Sequence, residues 1–260
     1  MDFLSLTACI KNEEHYIQEW LSFYKAMGVE RFYIFNNNST DSTEKKIKQL
    51  SFARKIKLFD HNPQVKDVQG VAFVNSYKMF AKKTEWMIYC DGDEYFIPTE
   101  KQDLRTYIEQ YKKYSGFGAS WRIYGSSGYI LRPRGLALDN YVHRAKDDWD
   151  PNYHVKVIVK PKEIINYLTP HLFSTKKGVV NENGEKLDEK LRGRTTSSPA
   201  KTIRVNHYFN RSYEDWIDKR RRGRATVKEK RPLEMFDIYD RNEVYDPIAM
   251  QYSEEVRKLL

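Results

Sequence analysis

Strand-like and helix-like segments alternate along residues 1–100 of this chain. Each strand-like segment is a short apolar run, and each helix-like segment repeats apolar side chains every three or four positions. We predict strands at residues 4–10, 31–35, 55–59 and 86–90, and helices at residues 16–27 and 69–83. Strands separated by helices form a mainly parallel sheet with right-handed crossovers. The sequence therefore predicts an α/β fold.

Polar residues at the ends of these segments predict where helices begin and end. Asn12 is a candidate N-cap for the first helix, and Gly28 is its expected stop. Residues 41–44 have capping-box spacing for a further helix. Ser212 is predicted to cap a basic helix that ends at Gly223.

The pattern changes after residue 95, where shorter segments follow one another irregularly. We predict a helix at residues 104–114 and strands at residues 118–123, 129–131, 155–159 and 203–208. Such a series predicts a mixed sheet. Residues 175–201 are poor in apolar side chains, so we expect a long surface loop without regular structure there.

Composition limits the class of protein and its partners. The 260 residues are 40% hydrophobic and 31% charged, as in a globular protein, and no apolar run is long enough to cross a bilayer. Forty-five Lys and Arg against 36 Asp and Glu give a net charge of +9, which favours anionic partners such as sugar nucleotides, phospholipid surfaces or nucleic acid. The amino terminus lacks the positive charge of a secretory leader. We therefore expect a cytoplasmic protein with possible peripheral contact at the inner face of the membrane.

Cys9 and Cys90 both fall within apolar strand-like runs. We interpret them as small core residues and not as a disulfide or a metal-binding pair.

Two carboxylates follow the fourth predicted strand, separated by one glycine. Alternate side chains of an extended segment point the same way, so Asp91 and Asp93 are expected to face one crevice beyond the end of the sheet. Gly92 has no side chain, which leaves room for a phosphate and a hard divalent ion. The alternative is an ordinary acidic turn.

Several segments, in this order and spacing, resemble glycosyltransferase family 92 and the family 2-like group. They are CIKNEE at 9–14, WLSFY at 20–24, NNNSTD at 36–41, YCDGDEYF at 89–96, WRIYGSSG at 121–128, NHY at 206–208 and KRRRGRA at 219–225. The resemblance runs from residue 4 to residue 225 and implies the GT-A nucleotide-diphospho-sugar transferase fold. It divides the chain into a GT-A domain at 1–230 and a tail at 231–260. Within the domain, residues 1–100 form the nucleotide-sugar half and residues 101–230 the acceptor half.

The resemblance also implies an activity. It is a metal-dependent, inverting transfer of a sugar from a nucleoside diphosphate donor, UDP being the expected nucleotide, to a hydroxyl of a glycan or lipid-linked glycan, as in bacterial surface polysaccharide synthesis. A divalent cation, Mn²⁺ or Mg²⁺, would neutralise the departing diphosphate. Asp91, Asp93 and His207 are the expected metal ligands.

An inverting transfer needs a carboxylate that accepts the proton of the acceptor hydroxyl. The resemblance places this base after the glycine-containing segment at 125–128, where Asp139 fits. Asp147, Asp148 and Asp150 are alternatives, and Asp139 could instead be only an N-cap. His171 is a weaker candidate for the acceptor side.

The remaining candidates would contact the donor. They are Cys9, Lys11, Asn12, Glu13, Asn36, Asn38, Gln69, Asp91, Gly92, Arg220 and Arg224. Turn chemistry explains the asparagines equally well, and a solvated helix surface explains the arginines. Arg122 and Lys156 are further cations without an assigned position.

Two other classes of function share some of these features. A nucleotidyltransferase would also use metal-binding carboxylates, but it would release pyrophosphate. A basic nucleic-acid-binding protein would account for the net charge, yet the chain has no recognisable reader motif, and an acidic crevice repels a phosphate backbone. We expect no nucleic acid partner.

Overall fold

The computed structural model describes residues 1–223 and 230–260. Within these residues the chain forms thirteen strands. They are β1 Asp2–Ile10, β2 Arg31–Asn36, β3 Ile56–Asp60, β4 Thr84–Tyr89, β5 Glu94–Pro98, β6 Gly116–Ile123, β7 His143–Arg144, β8 Val155–Val159, β9 Ile164–Thr169, β10 Leu172–Thr175, β11 Val179–Val180, β12 Ile203–His207 and β13 Val244–Tyr245.

The described residues also contain eight α-helices. They are α1 Ile17–Ala26, α2 Thr43–Gln49, α3 Val68–Phe80, α4 Leu104–Ile108, α5 Ala137–Asn140, α6 Tyr213–Arg222, α7 Met235–Tyr239 and α8 Ser253–Arg257. Short 3₁₀ helices lie at Ala53–Lys55, Glu109–Tyr111, Asp150–Tyr153, Pro161–Glu163, Glu189–Leu191 and Ile248–Tyr252.

A large mixed sheet forms the centre of the domain. Its strands run in the order β3-β2-β1-β4-β8-β6-β12-β5, and β11 pairs with β6. The first four of these are parallel, β8 is antiparallel to both β4 and β6, and β12 is parallel to β6. The two antiparallel steps restore the original direction, so β1, β2, β4 and β12 all end at the same edge. The predicted α/β class and mainly parallel sheet are confirmed.

Two apolar layers cover the faces of this sheet. On one face, α1 packs against the sheet and buries Trp20, Leu21 and Tyr24. On the other, α3 and the β9–β10 hairpin bury a second cluster that includes Phe73 and Phe173. Because both faces are covered, the inner strands are buried along most of their length.

The first helix begins later than its sequence predicts. Asn12 is not its N-cap, because residues 13–16 form a turn in which the Glu13 carbonyl accepts hydrogen bonds from Tyr16 and Ile17, and Tyr16 becomes the N-cap. Asn12 instead has the positive φ of 51° that suits a turn. Gly28, at φ 89°, follows the end of the helix as predicted.

The capping box predicted at residues 41–44 and the cap predicted at Ser212 have different outcomes. At α2, Ser42 is the N-cap but its side chain makes no capping hydrogen bond; Asp41 accepts from the Thr43 amide instead. At α6, Ser212 accepts from the Asp215 amide at 3.1 Å, and Asp215 accepts from the Ser212 amide, so the box is complete. Gly223 ends that helix as predicted.

Two shorter predictions are wrong. Residues 129–131 form no strand, because the Tyr129 and Ile130 carbonyls accept hydrogen bonds from the first turn of α6 and not from a neighbouring strand. The helix expected at 104–114 is split into α4 and the 3₁₀ helix Glu109–Tyr111.

Residues 175–201 are more ordered than their composition predicts. Val179 and Val180 pair with β6 and are buried, and Glu189–Leu191 forms a 3₁₀ helix. The Glu182 carboxylate accepts hydrogen bonds from the Lys201 and Thr202 amides at 2.7 Å each, which closes the segment on itself. Two valines and backbone hydrogen bonds give this polar stretch a fixed path.

The segment at 231–260 packs on the domain and is not a detached tail. Tyr252 and Val256 are buried in the main core, where α8 contacts α1. Asp246 pairs with Arg144 at 2.6 Å and Arg204 at 2.5 Å. No helix among the described residues is long and apolar enough to cross a membrane.

Candidate functional site

Two adjacent cavities open at the edge where β1, β4 and β12 end. Cavity A, of about 460 Å³, includes in its lining Cys9, Lys11, Gln69, Asp91, Gly92, Trp121, His171 and His207. Cavity B, of about 320 Å³, includes Asn12, His15, Tyr16, Arg132, Arg211 and Asp218. Both are lined by Glu13, Asp93, Phe209, Lys219 and Arg222, which form the wall between them.

Asp91 lies in the turn after β4 with its carboxylate held on both oxygens. Gln69 donates a hydrogen bond to Oδ1, and the Lys156 ammonium lies 3.1 Å from Oδ2. Burial is the largest effect and opposes ionisation of this carboxyl, but Lys156, the Gln69 hydrogen bond and His207 together hold the pKa of Asp91 below its ordinary value. The Asp91 carboxylate is therefore ionised and lies beside the positively charged Lys156.

Asp93 is the second carboxylate of the turn and lies in the wall between the cavities. Its Oδ2 is 2.6 Å from Lys219 Nζ, and its Oδ1 is 3.6 Å from His207 Nε2. Burial again opposes ionisation, yet Lys219 and His207 hold the pKa of Asp93 well below its ordinary value. Burial also lowers the pKa of Lys219 to about 8 and lowers the pKa of His207.

A lysine inside a buried strand contacts two carboxylates at the site. Lys156 of β8 is fully buried and lies 3.3 Å from the Glu94 carboxylate as well as close to Asp91. Burial raises the pKa of Glu94 to about 8, while the Asp91 and Glu94 charges raise the pKa of Lys156 against the effect of its own burial. The sequence signal for this contact was a single lysine within the apolar run VKVIV at 155–159.

Arg211 fastens the loop after β1 to the turn after β4, and Arg222 fastens the same loop to α6. Arg211 lies 3.3 Å from the Glu13 carboxylate and donates to the Gly92 carbonyl at 3.0 Å. Arg222 also pairs with Glu13, and it donates to the Lys11 and Asn12 carbonyls at 3.1 and 3.2 Å. Sequence reasoning assigned Arg222 only to a general basic run and did not single out Arg211.

Most predicted donor and metal residues meet in cavity A. Those that line it are Cys9, Lys11, Glu13, Gln69, Asp91, Gly92, Asp93 and His207. The weaker candidate His171 also lines it; burial lowers the pKa of His171 to about 3, and its neutral ring donates from Nδ1 to the Val155 carbonyl.

The predicted donor residues Asn12, Asn36 and Asn38 serve turns and do not line cavity A. Asn12 lines cavity B, where its side chain bonds Thr40. Asn36 accepts from the Ser39 amide at 3.1 Å, and Asn38 adopts a positive φ of 50°. Neither Asn36 nor Asn38 lines either cavity, whereas the intervening Asn37 lines cavity A.

Asp139 lies away from both cavities. It is in the middle of α5, whose N-cap is Leu136, and its carboxylate bonds Ser253 and Arg257 of α8. The alternatives to Asp139 are also engaged elsewhere: Asp147 pairs with Arg122 at 3.0 Å, and Asp150 pairs with Arg194. Neither cavity A nor cavity B is lined by Asp147, Asp148 or Asp150. The structure brings none of the four to the Asp91–Asp93 turn.

The basic helix α6 presents different side chains to the site from those expected. Arg220 donates to the Arg231 carbonyl at 2.7 Å and lines neither cavity. Lys219 and Arg222, one helical turn apart, face the wall between the cavities instead. Arg224 lies outside the described residues.

The donor atoms present are of the types that suit Mn²⁺ or Mg²⁺. Asp91 and Asp93 offer carboxylate oxygens and His207 an imidazole nitrogen, and all three line cavity A. Among residues 1–223 and 230–260, no three His, Cys, Asp or Glu side chains converge closely enough to hold an ion alone. An ion bound here would complete its coordination with diphosphate oxygens and water, as Mg²⁺ does in other proteins.

A mainly parallel sheet with a charged crevice beyond its carboxyl ends defines an α/β domain that binds its ligand at the sheet edge. The sequence model of glycosyltransferase family 92 matches residues 5–231. The match covers most of the chain, which therefore belongs to glycosyltransferase family 92. The sheet and its flanking helices are those expected of the GT-A fold.

Curated relatives carry the same family description. The chain is 26% identical over 227 residues to a family 92 protein of Ricinus communis, covering 81% of this chain and 35% of that one. It is 26% identical over 190 residues to one of Arabidopsis thaliana, covering 68% and 32%. The chain thus spans about a third of the length of these relatives.

Among solved structures, TarS of S. aureus is similar with a TM-score of 0.44. The two share 15% sequence identity over 80% of this chain and 37% of that one.

Proposed function

We propose that this protein transfers a sugar from a nucleoside diphosphate donor, with UDP as the nucleotide, to a hydroxyl of a glycan or lipid-linked glycan. The transfer inverts the anomeric carbon, depends on Mn²⁺ or Mg²⁺, and serves polysaccharide synthesis, with the protein in peripheral contact with a membrane. Membership of family 92 supports the reaction class. The observation that carries the proposal is the position of Asp91 and Asp93 in a cavity that also presents several cations.

Cavity A has the properties of a nucleotide diphosphate site. Its volume of about 460 Å³ is within the range of small-molecule sites. The Asp91–Asp93 turn lines this cavity together with three cations, Lys11, Lys219 and Arg222. Ammonium and guanidinium groups bind phosphate oxygens strongly, so a diphosphate would gain charge-assisted hydrogen bonds here.

Some residues around the Asp91–Asp93 turn would hold the metal ion, and others would neutralise the charge of the diphosphate. Asp91, Asp93 and His207 would hold the divalent ion, which supplies a Lewis acid for the leaving group. Lys219 and Arg222 are fixed by Asp93 and Glu13 before any ligand arrives. Charges held in place in advance stabilise developing negative charge without the cost of reorganisation.

The experiment compares donor turnover in matched variants. The purified chain is incubated with Mn²⁺ and either UDP-sugars or UTP with a sugar 1-phosphate. Release of UDP from the first mixture and of pyrophosphate from the second is measured. We expect Asp91→Asn and Asp93→Asn to lower UDP release by a factor on the order of 10²–10³, the range for loss of one electrostatic group at a reacting centre. Asp60→Asn, at the end of β3 and outside both cavities, is the control and should leave turnover unchanged.

Two results would contradict the proposal. Release of pyrophosphate from UTP and a sugar 1-phosphate, with no release of UDP from UDP-sugars, would indicate a nucleotidyltransferase. Unchanged UDP release in both turn variants, with melting temperatures equal to that of the wild type, would remove Asp91 and Asp93 from the site.

A further inference from the structure

Cavity B is separated from cavity A by a wall of ion pairs. Asp93–Lys219 and Glu13–Arg222 form this wall, and all four side chains line both cavities. A molecule in cavity B would therefore lie directly across the acidic turn from one in cavity A. The two cavities are close enough to share contacts but have different linings.

The charges around cavity B are nearly balanced. Among the described residues its lining has five cations and six carboxylates: Arg132, Arg211, Lys219, Arg221 and Arg222, against Glu13, Glu14, Asp41, Asp93, Asp215 and Asp218. In the part of the chain that the structure describes, the lining of cavity A has four cations, Lys11, Lys219, Arg222 and Arg231, against the three carboxylates Glu13, Asp91 and Asp93. The described lining of cavity B therefore offers no excess positive charge to an anionic ligand.

The inner part of cavity B is held rigidly. Asp215 Oδ2 accepts hydrogen bonds from the Ser212, Tyr16 and Tyr141 hydroxyls at 2.7, 2.7 and 3.0 Å. Arg132 bridges Asp215 at 2.5 Å and Asp218 at 2.8 Å. Because these side chains already satisfy one another, the inner lining is organised in advance.

The mouth of cavity B carries polar side chains that remain accessible. The side chains of His15, Asp218 and Arg221 are 43%, 48% and 76% exposed. Carboxylates accept hydrogen bonds and guanidinium groups donate them. A hydroxyl can do both, so carboxylates and guanidinium groups placed side by side can bind the hydroxyls of a sugar. Phe209 adds partly exposed aromatic surface on which a sugar ring can pack.

We propose that cavity B binds the acceptor and that the acceptor is a neutral, hydroxyl-rich glycan. The inference rests on the proposed function and deepens it, since it assigns the acceptor a location and a chemical class. A glycan bound there presents its hydroxyls to the same wall that a diphosphate sugar contacts from cavity A.

The test measures ligand binding to each of the two cavities separately. Binding of neutral methyl glycosides of glucose and galactose, and of the anionic methyl glucuronide, is measured by saturation-transfer NMR in the presence of UDP. Affinity for UDP with Mn²⁺ is measured by calorimetry. The variants Asp218→Trp and His15→Trp fill the mouth of cavity B, and Asn37→Trp, in the lining of cavity A alone, is the matched control.

We expect Asp218→Trp and His15→Trp to weaken binding of a neutral glycoside about tenfold or more while the affinity for UDP stays at the wild-type value. Asn37→Trp should weaken UDP binding. Two independent variants are used so that a folding defect in one, seen by thermal melting, leaves the other informative.

Three results would overturn the inference: wild-type protein that binds no neutral glycoside, a preference for methyl glucuronide, or glycoside binding that neither tryptophan variant changes. Failure of the proposed function looks different, because wild-type protein would then not bind UDP at all. Equal loss of UDP affinity in the variants of both cavities would make cavity B part of the donor site.

Discussion

Lys219 Nζ lies 2.6 Å from Asp93 Oδ2, and both side chains are buried. The ammonium group also donates to the Phe209 carbonyl at 2.6 Å. The contact joins α6 to the turn after β4 across 126 positions of the sequence. One ion pair thus positions a carboxylate of the candidate site and closes the wall between the two cavities.

Replacement of Lys219 by methionine should strongly destabilise the protein. The change leaves the Asp93 carboxylate buried without its closest cation, and breaking one side of a buried pair costs about 3–5 kcal/mol. His207 lies 3.6 Å away and offsets part of this loss, so we expect the free energy of unfolding to fall by about 3 kcal/mol. The free energy of unfolding is measured by urea denaturation at pH 7.

The control for this variant is the pair of changes made together. With Lys219→Met and Asp93→Asn combined, no uncompensated charge remains, so the double variant should be more stable than the sum of the two single changes predicts. Strict additivity would show that the two side chains do not interact.

Asp139→Asn should affect stability and leave donor turnover unchanged. Its carboxylate bonds Ser253 and Arg257 of α8 and lines neither cavity. Arg257 is 58% exposed, so the pair is screened by solvent and its loss should cost roughly 1 kcal/mol. Thermal melting and UDP release are the two measurements.

The partner variant Arg257→Gln separates the two roles of Asp139. If the aspartate only fastens α8, both variants should lower the melting temperature by similar amounts with normal turnover. A fall in turnover of about a hundredfold or more in Asp139→Asn alone would instead identify it as the catalytic base.

Glu19 should make stability fall as the pH rises. Burial raises the pKa of Glu19 from 4.5 to about 7, although the Ala137 and Leu138 amides donate to its carboxylate and oppose the shift. The folded state therefore holds the proton more tightly than the unfolded chain. This contribution to stability is fully present below pH 4.5 and is lost as the pH rises through 7.

The wild type is compared with Glu19→Gln across this pH range. At about 1.4 kcal/mol per unit of pKa shift, the free energy of unfolding of the wild type should fall relative to the variant by about 3 kcal/mol between pH 4.5 and pH 8. The exposed Glu189→Gln is the control and should show no such slope. A difference between wild type and Glu19→Gln that does not change with pH would contradict the prediction.

The sequence was sufficient to predict the elements around which the fold is built. Apolar periodicity identified the first four strands and α1 and α3 because these elements are buried along one face or along their whole length. It failed where few apolar side chains are present and hydrogen bonds to backbone groups do much to fix the path of the chain. Residues 129–131 and 175–201 are the two cases.

The candidate site was predictable where its residues are local in the sequence. Asp91 and Asp93 occupy one turn, and the order of strands alone places that turn at the crevice. The pairing of Arg211 with Glu13, 198 positions apart, depends on tertiary packing that no spacing reveals. Asp139 was assigned by position along the chain, but the packing of α8 on the domain takes its carboxylate away from the site.

Gly193→Ala tests whether residues 175–201 really have a fixed path. Gly193 has φ +92°, which strains any other residue, and an added Cβ would collide with the His171 side chain. Strain and overpacking together should lower the free energy of unfolding by roughly 2–4 kcal/mol. Gly184→Ala has a similar φ of +79° but would place its Cβ 3.4 Å from the Tyr114 hydroxyl, so it should lose only about 1 kcal/mol. Equal losses in the two variants, measured by urea denaturation, would show that the segment yields at Gly193 and is as loose as its composition suggests.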